Sequence, residues 1–575
     1  MSDANDTEEK ESSLKNIGRD AAPTENNLAS SLTSAKSLIA LQLLSRLITF
    51  SLNQALIRIA SPKVFGTAAV QFDLVRDTIL FLSREGVRAV VIRIPGEKKV
   101  QEKQATEWIQ DTRIHNLIHL PALFGIIVTG GLLPIYLQSL PATTTSQSYF
   151  HSSLGLYVLA TLVELLTEPF YLTSQLSTPV NTSIRVQAEG TAIILRAIVT
   201  VVCLAAASER YALLAFAVGQ LAYSFTLGGK YVRAYWNHQF TMENAFSSFQ
   251  TALLPSTKTS SRLFSAYIYP HHLTLLMALL GQSTIKHFLT EADRIVVAWA
   301  SPLEDQGGYA VASNYASLVA RIVFQPVEES SRLYFAREID VDPSHAASPS
   351  INSSPFLIIF SMVRVALYFL LLCLSFVPPL AGIVFPYLLP RSYRHTSAFQ
   401  TLTAYLTLYL PILGMNGILE AFFAATSGVK GLGRQSGVMV ASSGAFAGTL
   451  MLLSSVRHRL GTPVTVSPTS LRDSAWLRTW TNPEVSLVYA NAISMLVRIV
   501  FAFRHAVNLT DTLLGVKLRR GIRKIPSVRN VVILTAAAAS VRWIVRHAEK
   551  RGFLDEKPRW KAAVLGGETG NKKTQ

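Results

Sequence analysis

The stretch SLIALQLLSRLITFSLNQALIRIA, residues 37–60, decides the class of fold. It is long enough to cross a bilayer as one helix, because about 20 predominantly apolar residues span the hydrocarbon core. Four of its polar side chains are spaced by four, three and four residues, which places them on one helical face. They are Gln42, Arg46, Thr49 and Asn53. The stretch therefore predicts a membrane-spanning helix with one polar face.

The composition of the whole chain is that of a membrane protein. Of its 575 residues, 49% are hydrophobic and 15% are charged, whereas soluble domains carry roughly 25% charged residues. The mean hydropathy is +0.31. A soluble chain of this length would form several domains, and this composition does not supply the polar surface that they need. Two cysteines, Cys203 and Cys373, exclude a disulfide framework and a thiolate metal site.

Apolar stretches of spanning length recur and predict twelve membrane helices. They lie near 36–59, 69–92, 115–137, 149–172, 189–208, 210–228, 271–299, 308–335, 357–382, 399–425, 436–456 and 484–506. We divide the chain into a disordered cytosolic tail (1–35), a six-helix lobe (36–230), a cytosolic linker (231–265), a second six-helix lobe (266–506) and a basic C-terminal region (507–575). The predicted fold is an all-α polytopic membrane protein with two parallel-repeat six-helix bundles around a central cavity, plus a C-terminal extra helix.

The net charge of +17 is concentrated in the C-terminal region. From Lys517 to the end there are fifteen Lys and Arg against four Asp and Glu. This placement is typical of a cytosolic segment beside a membrane, so nucleic acid is not the predicted partner. The loops after even-numbered spans also carry more Lys and Arg than the others. Both termini are therefore predicted to be cytosolic.

A short sequence motif occurs once in each half. Ala60-Ser61-Pro62 is followed by Gly66, and Ala300-Ser301-Pro302 is followed by Gly307-Gly308. The offset of about 240 residues predicts a duplicated unit, and an even number of helices in each copy makes the copies parallel. The cleft between the two lobes is then the expected binding site.

Charged and polar side chains concentrate in the first two spans of each half. Arg46, Asp73, Asp77, Arg84, Glu85 and Arg88 lie in the first half, and Glu291, Arg294, Arg321, Gln325 and Glu328 are in the second. A cation at the bilayer centre costs about 2.5 to 3.5 kcal/mol, so these groups should face protein or a water-filled cavity. Guanidinium groups donate paired hydrogen bonds to phosphate oxygens. A cationic interior therefore predicts an anionic, phosphorylated ligand.

Structural roles are the alternative for the same residues. Arg46 has Asp73, Asp77 or Glu291 as possible ion-pair partners, and Glu85 can reach Arg88 at the i+3 position. Arg294 lies among carboxylates of its own span. Glu164 and Glu168 are expected to lie at the end of the fourth span. For Asn416 and Glu420 the sequence favours interhelical hydrogen bonding and substrate contact equally.

Signatures of enzymes are absent from the sequence. It contains no HExxH, no P-loop, no GxSxG and no cysteine pair at zinc spacing. We therefore predict no catalytic residues, no cofactor and no metal, and transport that is either passive or coupled to an ion gradient.

Seven segments, in order, resemble one known family. They are SRLITFSLNQALIR (45–58), FLSREGVR (81–88), ELLTEPFY (164–171), LTEADR (289–294), SNYASLVARIVFQPVEES (313–330), NGILEAF (416–422) and VYANAISMLVRI (488–499). Together they resemble the Rft family of oligosaccharide-translocation proteins of the endoplasmic reticulum. That family belongs to the multidrug/oligosaccharidyl-lipid/polysaccharide exporter superfamily, whose members pair two six-helix bundles around a central cavity.

The resemblance implies participation in N-linked glycosylation in the endoplasmic reticulum membrane. The implied activity is movement of a dolichyl-pyrophosphate oligosaccharide, five mannoses on two N-acetylglucosamines, from the cytosolic to the lumenal leaflet. The implied partners are that lipid, the bilayer and the glycosylation machinery. The positions that match family motifs are Arg46, Asn53, Arg58, Arg84, Glu85, Arg88, Glu291, Arg294, Arg321, Gln325, Glu328, Asn416, Glu420 and Asn491.

The C-terminal region departs from the family pattern. The family normally continues with two further spans, but here Val531–Val541 is a short apolar segment between arginines, which predicts an interfacial helix or a marginal span. The chain ends Lys572-Lys573-Thr574-Gln575, which resembles a dilysine retrieval signal and favours a cytosolic C-terminus.

Two other functions remain open from sequence. One is a non-transporting protein that handles the lipid-linked sugar for other glycosylation proteins. The other is a cation-coupled exchanger of small solutes that uses membrane carboxylates such as Asp77.

Overall fold

The computed structural model describes residues 50–91, 112–176, 182–236, 267–339, 354–427, 429–460, 482–514 and 528–550. Within these ranges the chain is helical with short connections and contains no strand. Every predicted span corresponds to a helix over the part of it that is described. The all-α fold class is confirmed.

We number the helices along the chain. They are α1 (residues 50–59 of it), α2 (62–91), α3 (Thr112–Ser139), α4 (150–176), α5 (Thr182–Ala206), α6 (Ala212–Trp236), α7 (Pro270–Ala300), α8 (303–338), α9 (Ser354–Leu388), α10 (398–426), α11 (Val429–Leu460), α12 (Pro483–Leu514) and α13 (Val528–Lys550). Short helical turns also occur at Ala142–Thr145, Glu209–Tyr211 and Arg391–Tyr393.

Eight of the described helices are long and apolar enough to cross a membrane, so this is a multi-pass membrane protein. They are α3, α4, α5, α6, α9, α10, α11 and α12. The helices α2, α7 and α8 do not meet the same criterion, because charged and polar residues interrupt them. These three helices pack against one another between the two halves of the chain, where neighbouring helices shield their polar groups from lipid.

Similar neighbour relations occur in the two halves. In the first half α5 packs on α6, α6 on α4 and α4 on α2. In the second half α11 packs on α12, α12 on α10 and α10 on α8. A duplicated unit would produce this recurrence, and the repeat itself stays a prediction.

Three hydrophobic cores show where the halves meet. One core joins both halves near the loops α1–α2, α7–α8 and α9–α10, with buried residues such as Phe72, Tyr157, Tyr309 and Leu402. At the opposite helix ends, a second core holds α2 to α6 with the start of α7, and a third holds the end of α8 with α9, α10 and α12. The two lobes therefore share the first core at one end, which we call the closed end; at the other, the cleft end, the second core joins the start of α7 to the first lobe and the third core contains second-lobe helices alone.

Wide π-helical turns interrupt three of the long helices. They lie at Thr67–Phe72 in α2, Ala320–Phe324 in α8 and Tyr405–Tyr409 in α10. In α8 and α10 a proline, Pro326 or Pro411, follows within two residues of the turn. Proline has no N–H and clashes with the preceding turn, which accounts for the local widening of both helices.

The C-terminal helix α13 is longer than the apolar segment predicted there. It runs over Val528–Lys550 and packs against α9. Ala538 is buried in that contact, while Ile533, Trp543 and Ile544 are exposed. The predicted segment Val531–Val541 thus forms the first half of a helix attached to the second lobe.

Candidate functional site

The backbones of the two lobes are in close contact where the two copies of the motif meet at the closed end. A Cβ atom on Gly66 of α2 would lie 2.5 Å from the Leu303 carbonyl oxygen, and one on Gly307 of α8 would lie 2.1 Å from the Pro62 carbonyl oxygen. Any side chain at either position would meet backbone atoms of the other lobe. The two glycines therefore permit a backbone-to-backbone approach that no other residue allows.

A pair of buried amides lies beside this glycine contact. Gln71 Nε2 donates to Gln306 Oε1 at 2.9 Å, and both side chains are almost completely buried. Gln306 Nε2 also donates to the carbonyl oxygens of Ala298 and Ser301. Gln54 Nε2 of α1 donates to the Tyr315 hydroxyl of α8. The closed end is thus held by neutral hydrogen bonds between the lobes.

An ion-pair network, which we call the charge belt, follows the amide pair along α2 and includes residues of α7. It comprises Asp73, Arg76, Asp77, Arg196, Glu291, Asp293 and Arg294. Arg294 Nη1 donates to Asp77 Oδ2 at 3.0 Å and to Glu291 Oε2 at 3.1 Å. On the other side of Asp77, Arg76 Nη2 lies 2.6 Å from Asp77 Oδ1. The pair Asp77–Arg294 links α2 of the first half to α7 of the second.

The charge belt extends into both lobes through hydrogen bonds. Arg196 of α5 donates to Asp73 at 3.2 Å and to the Tyr157 hydroxyl of α4 at 3.3 Å. On the other side, Tyr309 of α8 donates to Asp293 at 2.7 Å, and the Tyr405 hydroxyl of α10 donates to Tyr309 at 3.0 Å. Polar contacts therefore run without a break from α4 through the lobe interface to α10.

A second ion-pair cluster lies closer to the cleft end of the first lobe. Arg84 donates to Glu164 at 2.8 Å and to Glu168 at 3.1 Å, and Arg88 Nη2 donates to Glu168 at 2.5 Å. Both carboxylates are nearly fully buried. The Arg88 guanidinium also lies 4.3 Å from the centre of the Tyr171 ring. The two arginines of α2 thus point into the first lobe, toward α4.

The second half of α8 is polar and exposed. Arg321, Gln325, Glu329 and Arg332 are exposed and Glu328 is partly so. Their hydrogen bonds include contacts within the helix: Arg321 donates to Ser317, Gln325 to Glu329, and Arg332 to Glu328. Polar side chains on an exposed helix face at membrane depth require water beside them. This face lies toward the cleft end, in the part of α8 whose buried residues Phe335 and Ile339 belong to the third core.

In the second lobe Glu420 pairs with an arginine that the sequence analysis did not single out. Arg498 of α12 donates to Glu420 Oε1 through Nη2 at 2.5 Å, beside a small gap that Gln435 and Phe423 also line. One turn before Glu420, Asn416 is buried and its Oδ1 has no hydrogen-bond partner among the described residues.

The structure places the remaining predicted residues individually. Arg46 lies outside the described residues. Asn53, Glu85 and Asn491 are half-buried and Arg58 is exposed on α1. The expected contact from Glu85 to Arg88 is wrong, because Arg88 pairs with Glu168 on α4 instead. Likewise, Glu164 and Glu168 do more than close a helix, since they neutralise two arginines.

The expectation of a cationic interior needs a correction. In the described part of α2 and α7, the arginines Arg76, Arg84, Arg88 and Arg294 each contact a carboxylate. The network is therefore close to charge balance, because an unpaired cation in such a site carries a large desolvation cost. Arg196 and Arg498, which sequence reasoning missed, lie within apolar spans, so the cost argument applied to Arg46 would have found them.

Comparison with known proteins identifies the chain's relatives. It is 30% identical to the "Man(5)GlcNAc(2)-PP-dolichol translocation protein RFT1" of Saccharomyces cerevisiae, over 74% of this chain and 77% of that protein. It is 29% identical to the protein of the same name in Kluyveromyces lactis, over 70% and 74% of the two chains. Among solved structures, "Lipid II flippase MurJ, inward closed conformation" aligns with a TM-score of 0.47 at 13% identity, covering 90% of this chain and 99% of that one. The model of the Rft protein family matches residues 30–461, and the chain belongs to that family.

Proposed function

We propose that the protein translocates Man5GlcNAc2-PP-dolichol across the endoplasmic reticulum membrane, from the cytosolic to the lumenal leaflet, for N-linked glycosylation. Family membership supports the substrate class, since the relatives above are named for translocation of this lipid. We assign no enzymatic step, because moving the lipid makes and breaks no covalent bond.

The observation that carries the proposal is the position of the charged and polar side chains. They concentrate on α2, α7 and α8 at the junction of the two lobes, which share the first core at the closed end and are joined through the start of α7 at the cleft end. A pyrophosphate and a large neutral glycan need a hydrated path, while the polyprenyl tail can stay in lipid. The polar, exposed face of α8 at the cleft end suits the entry of such a headgroup.

Charge balance in the network is compatible with binding of an anionic headgroup. A guanidinium that is paired with a carboxylate before the substrate arrives can exchange that partner for a phosphate oxygen, and it is never left uncompensated. Arg84 and Arg294, which each contact two carboxylates, are suited to this exchange. With the N-terminus in the cytosol, the cleft end faces the cytosol and the closed end faces the lumen, which fits loading from the cytosolic leaflet.

Complementation in yeast that lacks its own relative tests the function in cells. We expect the wild-type chain to restore glycosylation of a reporter glycoprotein, and Arg84→Ala to lose at least most of that activity at equal protein level. Arg210→Ala is a matched control, because Arg210 is exposed outside the described apolar helices and contacts the Tyr149 ring. Full glycosylation with Arg84→Ala at an unchanged level would contradict the site assignment, and failure of the wild type would contradict the function.

The two alternative functions give other results with purified protein in liposomes. A non-transporting partner would bind the lipid-linked sugar without moving it between leaflets. A cation-coupled exchanger would require a proton or sodium gradient, and Asp77→Asn would abolish uptake. In the structure Asp77 is paired with Arg76 and Arg294, which does not favour a free cation site at that carboxylate.

A further inference from the structure

We propose that Gln71 and Gln306 form a glycan-contacting gate, in which the amides that bind each other in the closed state bind sugar hydroxyls when the closed end opens. This inference rests on the proposed function and assigns the sugar, as distinct from the pyrophosphate, to particular side chains.

The contact between the two amides crosses the interface and must break when the lobes separate. Gln71 belongs to α2 and Gln306 to α8, and their hydrogen bond measures 2.9 Å. The neighbouring glycines Gly66 and Gly307 hold the two backbones too close for anything to pass in this state. A headgroup that leaves through the closed end therefore has to displace one amide from the other.

If this pair only closed the interface between the lobes, two apolar side chains could do so without any polar group to satisfy. A buried amide has a desolvation cost unless each polar atom has a partner, and replacing both partners by apolar groups of similar shape is often nearly neutral. Here several groups are committed to satisfying the pair: Gln306 bonds two backbone carbonyls, and the Tyr136 hydroxyl lies 3.4 Å from Gln71 Oε1. Amides also keep hydrogen-bond partners when the gate opens, because water or sugar hydroxyl groups can replace the partner that is lost.

The neutral amide pair lies between the charge belt and the exposed ion pair Lys63–Glu304 along the interface. On α2, Gln71 precedes the charged residues Asp73 and Asp77, and on the other side of the interface Glu291 and Arg294 of α7 precede Gln306 of α8. The helical rise places Gln71 about 3 Å from Asp73 and about 9 Å from Asp77 along the axis. The substrate has the same division, with charge on the pyrophosphate and a neutral glycan attached to it. A neutral gate next to a charge belt matches that order.

The amide group is also the right chemistry for sugars. A sugar hydroxyl both donates and accepts, and an amide side chain offers two donors and an acceptor without a net charge. A further acceptor at the lobe interface is the buried Oε1 of Gln54, which has no partner among the residues that the structure describes. Its Nε2 donates to the Tyr315 hydroxyl of α8. Three glutamines from three helices therefore make hydrogen bonds across the interface.

Two substrates that differ only in glycan size separate a glycan role from a sealing role. The probes are Man5GlcNAc2-PP-polyprenol and GlcNAc-PP-polyprenol with the same polyprenol, assayed for movement between leaflets of liposomes that contain the full chain. The variants are Gln71→Leu, Gln306→Leu and the double variant, which replaces both partners of the amide–amide hydrogen bond, and thermal unfolding checks that each variant is folded. We expect each to slow the larger substrate about tenfold, the loss expected for one or two hydrogen bonds, and the smaller one less than about twofold.

Gln400→Leu is the matched control. Asn482 donates to Gln400, so this is also an amide pair, but both members belong to the second lobe. We expect Gln400→Leu to change the translocation rates of the two substrates by the same factor. Equal slowing of both substrates by Gln71→Leu and Gln306→Leu would assign them a sealing role only, and unchanged rates would exclude any role; either result overturns the inference while the proposed function stands. If the wild type moves neither substrate, the proposed function fails with it.

Discussion

Asp77 of α2 and Arg294 of α7 join the two halves of the chain through a hydrogen-bonded ion pair of 3.0 Å. The two residues are 217 positions apart in the sequence. Each member has other partners in its own half, Arg76 for Asp77 and Glu291 for Arg294. Separation of the lobes along this contact would therefore leave neither charge alone, and a network built in this way can break and re-form at modest cost.

The first prediction concerns this pair. Because both side chains are partly exposed, we expect Arg294→Ala to lower the free energy of unfolding by about 1 to 2 kcal/mol, between the values for surface and buried pairs. Thermal unfolding of the purified protein in detergent measures the change. The control is Lys63→Ala, which removes the exposed pair Lys63–Glu304 at the same interface and should change stability by less than about 1 kcal/mol. Equal effects of the two variants would refute a special role for the Asp77–Arg294 contact.

The second prediction tests the glycine contact at the closed end. Gly66→Ala and Gly307→Ala each place a methyl group against backbone atoms of the other lobe, so we expect a loss of about 1 to 3 kcal/mol, the usual cost of overpacking. Gly155→Ala serves as the control, since its Cβ would have no atom within 4 Å. There the higher helix propensity of alanine should stabilise by up to about 1 kcal/mol. Chemical or thermal unfolding would reveal the opposite signs, and the same sign at all three sites would count against the packing.

The third prediction addresses Glu168, which faces both Arg84 and Arg88. It is 2% exposed, so Glu168→Gln leaves two guanidinium groups without full compensation and should cost about 3 kcal/mol or more. Glu189→Gln removes a carboxylate from the half-exposed pair Arg185–Glu189 and should cost less than about 1 kcal/mol. Both are measured by thermal unfolding of purified protein. A Glu168→Gln protein as stable as the wild type would show that the cluster does not hold α2 to α4.

The fourth prediction tests whether the exposed face of α8 is in contact with water. In a chain whose Cys203 and Cys373 are replaced, Gln325→Cys should react with a membrane-impermeant maleimide, and only when the reagent is on the cytosolic side. Val365→Cys is the control, because Val365 is 67% exposed on the apolar helix α9 and should face lipid. Protection of position 325 from both sides would place that face against lipid or protein. Reaction from the lumenal side would reverse the proposed orientation.

The sequence is sufficient to predict the helices but not the contacts between them. Apolar stretches of spanning length predict each helix, because a spanning segment needs about 20 such residues whatever it packs against. The motif around Pro62 and Pro302 also predicts a duplicated unit, which stays a prediction, and the structure shows that Gly66 and Gly307 approach the backbone of the opposite lobe. The partners of Arg84 and Arg88 lie 80 and 84 residues away on α4, and no local spacing rule reveals such pairs. Spacing along α2 instead indicated Glu85 as the partner of Arg88, because Glu85 is the nearest carboxylate in the sequence.

The same limit explains the charge balance. The arginines of α2 led to the prediction of a cationic interior, since the carboxylates on α4 that pair with Arg84 and Arg88 are assigned to another span. Glu164 and Glu168 become partners only when α2 and α4 pack together. Desolvation then requires each buried cation to have an acceptor, and this physical rule predicts that partners exist without identifying them.

The most direct test is a leaflet-resolved translocation assay with purified protein and authentic Man5GlcNAc2-PP-dolichol, comparing the wild type with Arg84→Ala and Arg294→Ala and with the exposed control Arg210→Ala. We predict movement of the lipid to the opposite leaflet by the wild type and the control, and a loss of about tenfold or more for each arginine variant, as expected when a charge-assisted hydrogen bond to the substrate is removed. Wild-type rates in both arginine variants, or no movement by the wild-type protein, would contradict the account.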